Sequence, residues 1–270
     1  MIVVFTFLAG VGAGSLGALL GLGGGIFLVP FLNIVLEIPV AQAMAISLVT
    51  VIATSNFVSQ ASAARRFSNV RLAMVLQLVA AIGAIAGTYI LEYISVRARE
   101  QIFGGTALLV ALVMISKINQ RNVLPGHIKD VGMLGGWVPD PDTGELAAYR
   151  LKRLPLAMSV AGGAGVISTL TGIGGGVLVV PALNSWCGVP MRVAAATSAV
   201  ILGVTAIPGV VDNFANGQLT RPVLAASAVL GVIAGSRAGF WIGAKVTVRS
   251  LKLLMAGLLA IIAIEYLWYR

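Results

Sequence analysis

Four glycines in five positions, Gly21-Leu22-Gly23-Gly24-Gly25, interrupt an apolar stretch, and Gly172-Ile173-Gly174-Gly175-Gly176 repeats the interruption in the second half. The copies stay in register without a gap through Pro30/Pro181, Asn33/Asn184, Pro39/Pro190, Ala43/Ala194 and Ser47/Ser198. Glycine admits positive φ and lets a backbone or ligand approach closely. A helix restarting after such a break has first amides without intrahelical partners, at the positive end of its dipole. That combination suits a small anion and needs no buried Lys or Arg. The candidate tip residues are Gly23, Gly24 and Gly25 with Gly174, Gly175 and Gly176. Tight packing by small residues is the competing explanation of a glycine cluster. Duplication of the whole pattern favours a site, because matching interruptions in two hydrophobic halves point to a transporter's binding centre. The motif is neither a dinucleotide fingerprint nor a P-loop, since no soluble βαβ context surrounds it and no Gly-Lys-Ser/Thr follows.

Side chains that would complete such a site follow each break. Ser47, Thr50 and Thr54 share one helical face at i, i+3 and i+7. Ser198 and Thr205 repeat the first and third, while Ile201 replaces the middle one. Hydroxyls donate to an oxyanion, and Asn33 and Asn184 add amide donors on the second arm of each hairpin. Ser and Thr equally bond their own backbone or a neighbouring helix, and that alternative stays open. Arg237 lies ~12 Å along a helix from Lys245 at 1.5 Å per residue. It either draws anions toward a vestibule or snorkels to the interface.

Absences narrow the chemistry. The single histidine, His127, falls in a loop, and Glu37, Glu92, Asp212 and Glu265 fall toward segment ends. Membrane-embedded hydrolysis needs paired acids or metal ligands near substrate, so the chain reads as no enzyme, with no metal and no cofactor. One cysteine, Cys187, excludes an intrachain disulfide.

These residues need elements that hold them in lipid. The 270 residues are 59% hydrophobic and 10% charged, with a mean hydropathy of +1.00, whereas soluble domains carry about 25% charged residues. Apolar runs fall at 2–20, 26–36, 40–63, 72–91 and 101–116, then at 156–170, 177–186, 191–211, 223–244 and 251–268. The second run of each half is too short to cross, because a span takes about 20 residues. With its predecessor it forms a helical hairpin with the glycines at its tip, where polar backbone must be covered by protein or a cavity. The expected fold is an all-α polytopic membrane protein, an inverted repeat with two re-entrant-like helical hairpins. Residues 1–118 form the N-terminal repeat, 119–154 a cytoplasmic loop and 155–270 the C-terminal repeat. The first 64 residues lack Lys and Arg, hence the basic start of a signal peptide, and read as retained structure.

Charge sets the orientation. Arg65, Arg66 and Arg71 follow the third run of the first half, where the second half has only Arg221. The next loop reverses the bias, with Arg97 and Arg99 offset by Glu92 and Glu100, against an unopposed Lys245, Arg249 and Lys252. Basic short loops favour the cytoplasm, so the halves are expected to point in opposite directions. The same rule puts 117–153 inside. Within it, Trp137 to Glu145 reads as a turn between two short strands. The net charge of +9 is spread over loops without interleaved aromatics, which excludes nucleic acid as a partner. The partners expected are the lipid bilayer and a small anionic substrate; oligomeric state is open.

The duplicated Gly-x-Gly-Gly-Gly-x4-Pro, with Pro39…Ala43-x-Ala45-x-Ser47, Pro190…Ala194-x-Ala196-Thr197-Ser198 and Gly231-Val-Ile-Ala-Gly235-Ser236, resembles the TauE/SafE sulfite-exporter family. The resemblance covers both halves. It implies a multi-pass protein of the bacterial inner (cell) membrane that exports sulfite, an organosulfonate or another small organic anion. It supports the six tip glycines, and Ser47, Thr197 and Ser198 match its Ala-x-Ser or Ala-Thr-Ser positions. Ile46 stands where the second half has Thr197, a departure from symmetric coordination. A secondary transporter working by alternating access is the expectation; a passive anion channel and a membrane scaffold or receptor subunit are the alternatives.

Overall fold

The structure, a computed structural model, describes residues 1–61, 67–116, 131–139, 146–243 and 248–269. Arg65, Arg66, His127, Lys245 and the turn residues 140–145 lie outside them. Helix α1 (Ile2–Leu20) ends where Gly21, at φ +71°, turns its N–H back to the Gly17 carbonyl. A left-handed glycine is the usual helix stop. After the break, α2 (Gly25–Pro30) returns and continues as a π turn over Phe31–Val35. In the second half α6 (Leu154–Thr171) stops at Gly172, φ +70°, and α7 (Gly176–Ser185) returns. Each returning arm is ~16 Å long at 1.5 Å per residue, about half the hydrocarbon thickness.

The remaining helices are α3 (Val40–Gln60), α4 (Val70–Leu91), α5 (Val96–Ser116), α8 (Met191–Ala215), α9 (Pro222–Gly243) and α10 (Val248–Ile264), the last extended by a π turn. Among the described residues α1, α3, α4, α5, α6, α8 and α9 are long and apolar enough to cross a membrane. Their outer faces expose Leu78, Ile82, Leu112, Val211 and Leu230, an apolar surface that water would not tolerate and lipid does. The chain is an all-α polytopic membrane protein. Helix α5 starts a turn and a half before the expected residue 101. Its charged first turns are held because the Arg99 guanidinium donates to the Leu91 and Ile94 carbonyls at 2.9 and 3.3 Å.

The halves interlock. Helix α1 packs along α9, and α4 along α6, so each hairpin leans on the other repeat. Both pairs run parallel: Gly10 meets Ala228 and Gly14 meets Val232, while Gly83 meets Gly162 and Gly87 meets Val166. Helices α3 and α8, which carry the duplicated serines, are the most buried spans and lie against each other at the centre. They run antiparallel, with Ser55 against Ala199 and Gly203 and Leu48 against Gly209. Helix α5 meets the end of α10, where the Phe103 and Tyr266 rings stack 4.6 Å apart.

Outside the helices, β1 (Gly136–Pro139) and β2 (Leu146–Tyr149) form an antiparallel pair with Gly136 opposite Tyr149. The expected turn is thereby shortened at its start, because Trp137 to Pro139 belong to the ladder. The Tyr149 ring is buried, and burial pushes its hydroxyl pKa up.

Candidate functional site

Candidate site residues converge where the two tips meet. Gly25 faces the Gly172 and Ile173 carbonyls so closely that a Cβ there would lie 3.0 and 2.7 Å from them. Gly176 faces the Gly21 carbonyl in the same way, at 2.6 Å. Each tip is also gripped by a core helix of the other half: Ala195 of α8 lies on Gly21, and Met44 of α3 lies on Gly172. Any side chain at these positions would separate the tips. That is why the breaks are glycine rather than merely flexible.

Two apolar side chains close the meeting point. Val51 of α3 and Leu202 of α8 cover Gly23 and Gly174 alike. Both glycines adopt positive φ, +77° and +86°. The tips, from Gly21 to Ile26 and from Gly172 to Val177, are buried throughout. The first amides of α2 and α7 thus face protein rather than water, in surroundings where a dipole acts at low screening.

The hydroxyls divide sharply. Ser47 Oγ donates to the Gly172 carbonyl at 2.6 Å and so pins the second tip to α3. Its counterpart Ser198 Oγ is buried beside Gly176 and has no hydrogen-bond partner. Thr50 donates to the Ser47 carbonyl at 2.7 Å, Thr54 to Thr50 at 2.8 Å and Thr205 to Leu202 at 3.0 Å. These three protons are committed to their own helices, which leaves their oxygens as acceptors.

With this geometry in hand, the comparisons are decisive at the family level. The family model described as Sulfite exporter TauE/SafE matches residues 6–266. The chain belongs to that family. It is also 26% identical, over 98% of its length and 97% of the relative's, to the "Probable membrane transporter protein YunE" of Bacillus subtilis (strain 168). No solved structure matches the chain. As a TauE/SafE protein it is a multi-pass membrane transporter.

The other predicted positions of this TauE/SafE chain lie away from the tips. Asn33 Nδ2 donates to the Ile38 carbonyl and Asn184 Nδ2 to the Val189 carbonyl, each at 2.9 Å. Both amides close the turn that delivers the chain, through Pro39 or Pro190, into α3 or α8. Thr197 Oγ1 accepts from the Asn69 backbone amide at 3.0 Å. Arg237 is exposed on α9, two residues from Gly235, which packs on α1. An exposed arginine on a lipid-facing helix reaches for the interface by its length.

Three residues of consequence are absent from the sequence reading. Asn69 caps α4 by accepting from Leu72 N–H, and its Nδ2 lies 2.9 Å from both the Leu134 carbonyl and the Tyr149 hydroxyl. It thereby ties α8, α4 and the strand pair together. An Asn before an apolar run is an N-cap signal, so this role was detectable. Ser55 Oγ donates to the Ala199 carbonyl (2.5 Å) and accepts from the Gly203 amide (2.9 Å), two groups one turn apart on α8. Ser168, buried one turn before the second tip, has a hydroxyl without a partner. No local pattern marks either serine. Among the described residues, no group of three His, Cys, Asp or Glu lies together.

Proposed function

We propose that this TauE/SafE transporter exports a small anion, sulfite or an organosulfonate, by alternating access around the two glycine tips. The observation that carries the reading is the meeting of two buried helix starts, Gly25 and Gly176, beside a hydroxyl with nothing to bond. Two dipole ends, each worth up to ~2 kcal/mol to a partly buried anion, offer binding without a fixed cation. A neutral site of that kind releases its ligand more readily than one built on arginine.

The antiparallel course of α3 and α8, equivalent helices in the two copies, supports the inverted repeat. So does the sharing of one side of the protein by Arg71, Arg150, Lys152 and the strand pair, which positive-inside bias assigns to the cytoplasm. The apolar closure by Val51 and Leu202 favours a carrier over an open channel. In this reading the repeats rock about the tips and expose them to each side in turn. Solid-supported membrane currents from proteoliposomes, challenged with sulfite, sulfate, thiosulfate, taurine-like sulfonates, small carboxylates and chloride, test it. A saturable response to sulfite or a sulfonate, competed by its relatives, is expected; silence to every anion from folded protein would overturn it.

A further inference from the structure

The two tips are not equivalent binding surfaces. At the first, Gly17 lies so close to the returning chain that a Cβ would sit 2.3 Å from the Gly24 nitrogen. The matching residue of the second half is Ser168, which carries that Cβ and a hydroxyl besides. The second tip differs accordingly: Gly175 has φ −64°, where Gly24 has +76°. Ser168 Oγ, on the residue equivalent to Gly17, is buried and unpartnered.

The core helices differ in the same sense. Ser47 has already given its proton to the Gly172 carbonyl. Ser198 stands beside Gly176 as Ser47 stands beside Gly25, but its hydroxyl makes no bond to the Gly21 carbonyl or to any other group. A buried hydroxyl without a bond forfeits its hydration with nothing to replace it. Of these two hydroxyls, Ser198 stands at the start of α7, a ten-residue helix, and Ser168 one turn before the break, at the position equivalent to Gly17. Ser185, a third unpartnered hydroxyl, lies at that helix's far end.

We infer that the anion of the proposed transport site binds at the second tip alone, held by Ser168 Oγ, Ser198 Oγ and the first amides of α7, while the first tip serves as the wall against it. This rests on the anion-carrier reading. Two hydroxyl donors from different helices suit an anion with at least two acceptor oxygens on one atom, as sulfite and sulfonates have. A spherical halide satisfies them less well. One anion per protein follows, not one per repeat.

The test is the half-saturation of sulfite and taurine-like sulfonate currents in Ser168→Ala, Ser198→Ala and Ser47→Ala proteoliposomes, with ligand-free thermal unfolding measured alongside. Each of the first two is expected to raise half-saturation about tenfold, the loss of one hydrogen bond to a charged group. Ser47→Ala should lower the unfolding temperature and raise half-saturation less than about threefold, because its proton serves the fold. Ser198→Thr, which keeps the hydroxyl, should retain most of the affinity. Should Ser198→Ala fail to fold, Ser198→Cys replaces it, with the same shape and a weak donor. Equal losses in Ser47→Ala and Ser198→Ala would overturn the asymmetry, and wild-type half-saturation in both Ser168→Ala and Ser198→Ala would overturn the assignment. A wild-type protein silent to all anions would instead overturn the carrier reading, and this inference with it.

Discussion

The first and second tips are near-copies in sequence and different objects in space. Both begin with a left-handed glycine, both are roofed by Val51 and Leu202, and both are fastened at the far end by an asparagine. They differ at several side chains, among them Gly17 against Ser168, where the first half has no room for a Cβ beside the returning backbone. The first return arm also relaxes into a π turn after Pro30, whereas α7 stays α-helical past Pro181. A proline removes one backbone donor in each arm, so the proline alone does not decide the outcome. Duplication supplies a frame, and substitutions within it leave the second half with buried hydroxyls that make no bond.

The largest effect expected of any substitution that breaks this comparison is at Gly17. Gly17→Ser drives a side chain into the Gly24 amide and should abolish folded protein in the membrane, read as fluorescence-detected yield. The reverse change, Ser168→Gly, should fold at near wild-type yield. Next come the tips themselves. Gly24→Ala places a Cβ at φ +76° and 2.7 Å from the Ala13 carbonyl, a loss of roughly 2–4 kcal/mol from left-handed strain and overpacking. Gly175→Ala, in right-handed backbone with 3.1 Å to its nearest neighbour, should cost under about 1 kcal/mol of stability. Thermal unfolding in detergent separates the two; equal losses would mean that the tips share one conformation.

Much of this frame was legible beforehand. The gap-free register from Gly21 to Ser47 fixed both hairpins, and apolar run length located every helix. Charge misled at α5, where Arg97, Arg99 and Glu100 suggested loop but belong to a helix whose arginine caps the preceding carbonyls. The place of the tip glycines at the two breaks was readable because backbone conformation restricts residue type. The hydroxyls were not. Whether Thr54 or Ser198 offers a free proton depends on which carbonyl lies within 3 Å, and helical spacing places both on a favourable face. Ser55, bonded across to α8, and Ser168, unbonded, follow from tertiary contact in the same way.

Smaller effects sharpen the comparison. Asn33→Ala and Asn184→Ala each remove the buried amide bond that closes matching turns. Both should lose a similar ~1–2 kcal/mol, with half-saturation unaltered in the surviving protein. A large shift in affinity from one alone would move that amide into the site. Smallest of all is Thr54→Val. Its proton is held by the Thr50 carbonyl, so transport half-saturation should stay within about twofold.

Counterflow decides whether the meeting tips form a single carrier site for a small oxyanion. Proteoliposomes preloaded with unlabelled taurine-like sulfonate or sulfite are diluted into a trace of the labelled anion. Label should accumulate transiently above its equilibrium level, and the Gly24→Leu and Gly175→Leu proteins should abolish the overshoot. Label that merely equilibrates without overshoot would contradict a carrier, and overshoot that survives both substitutions would contradict the tips as its site.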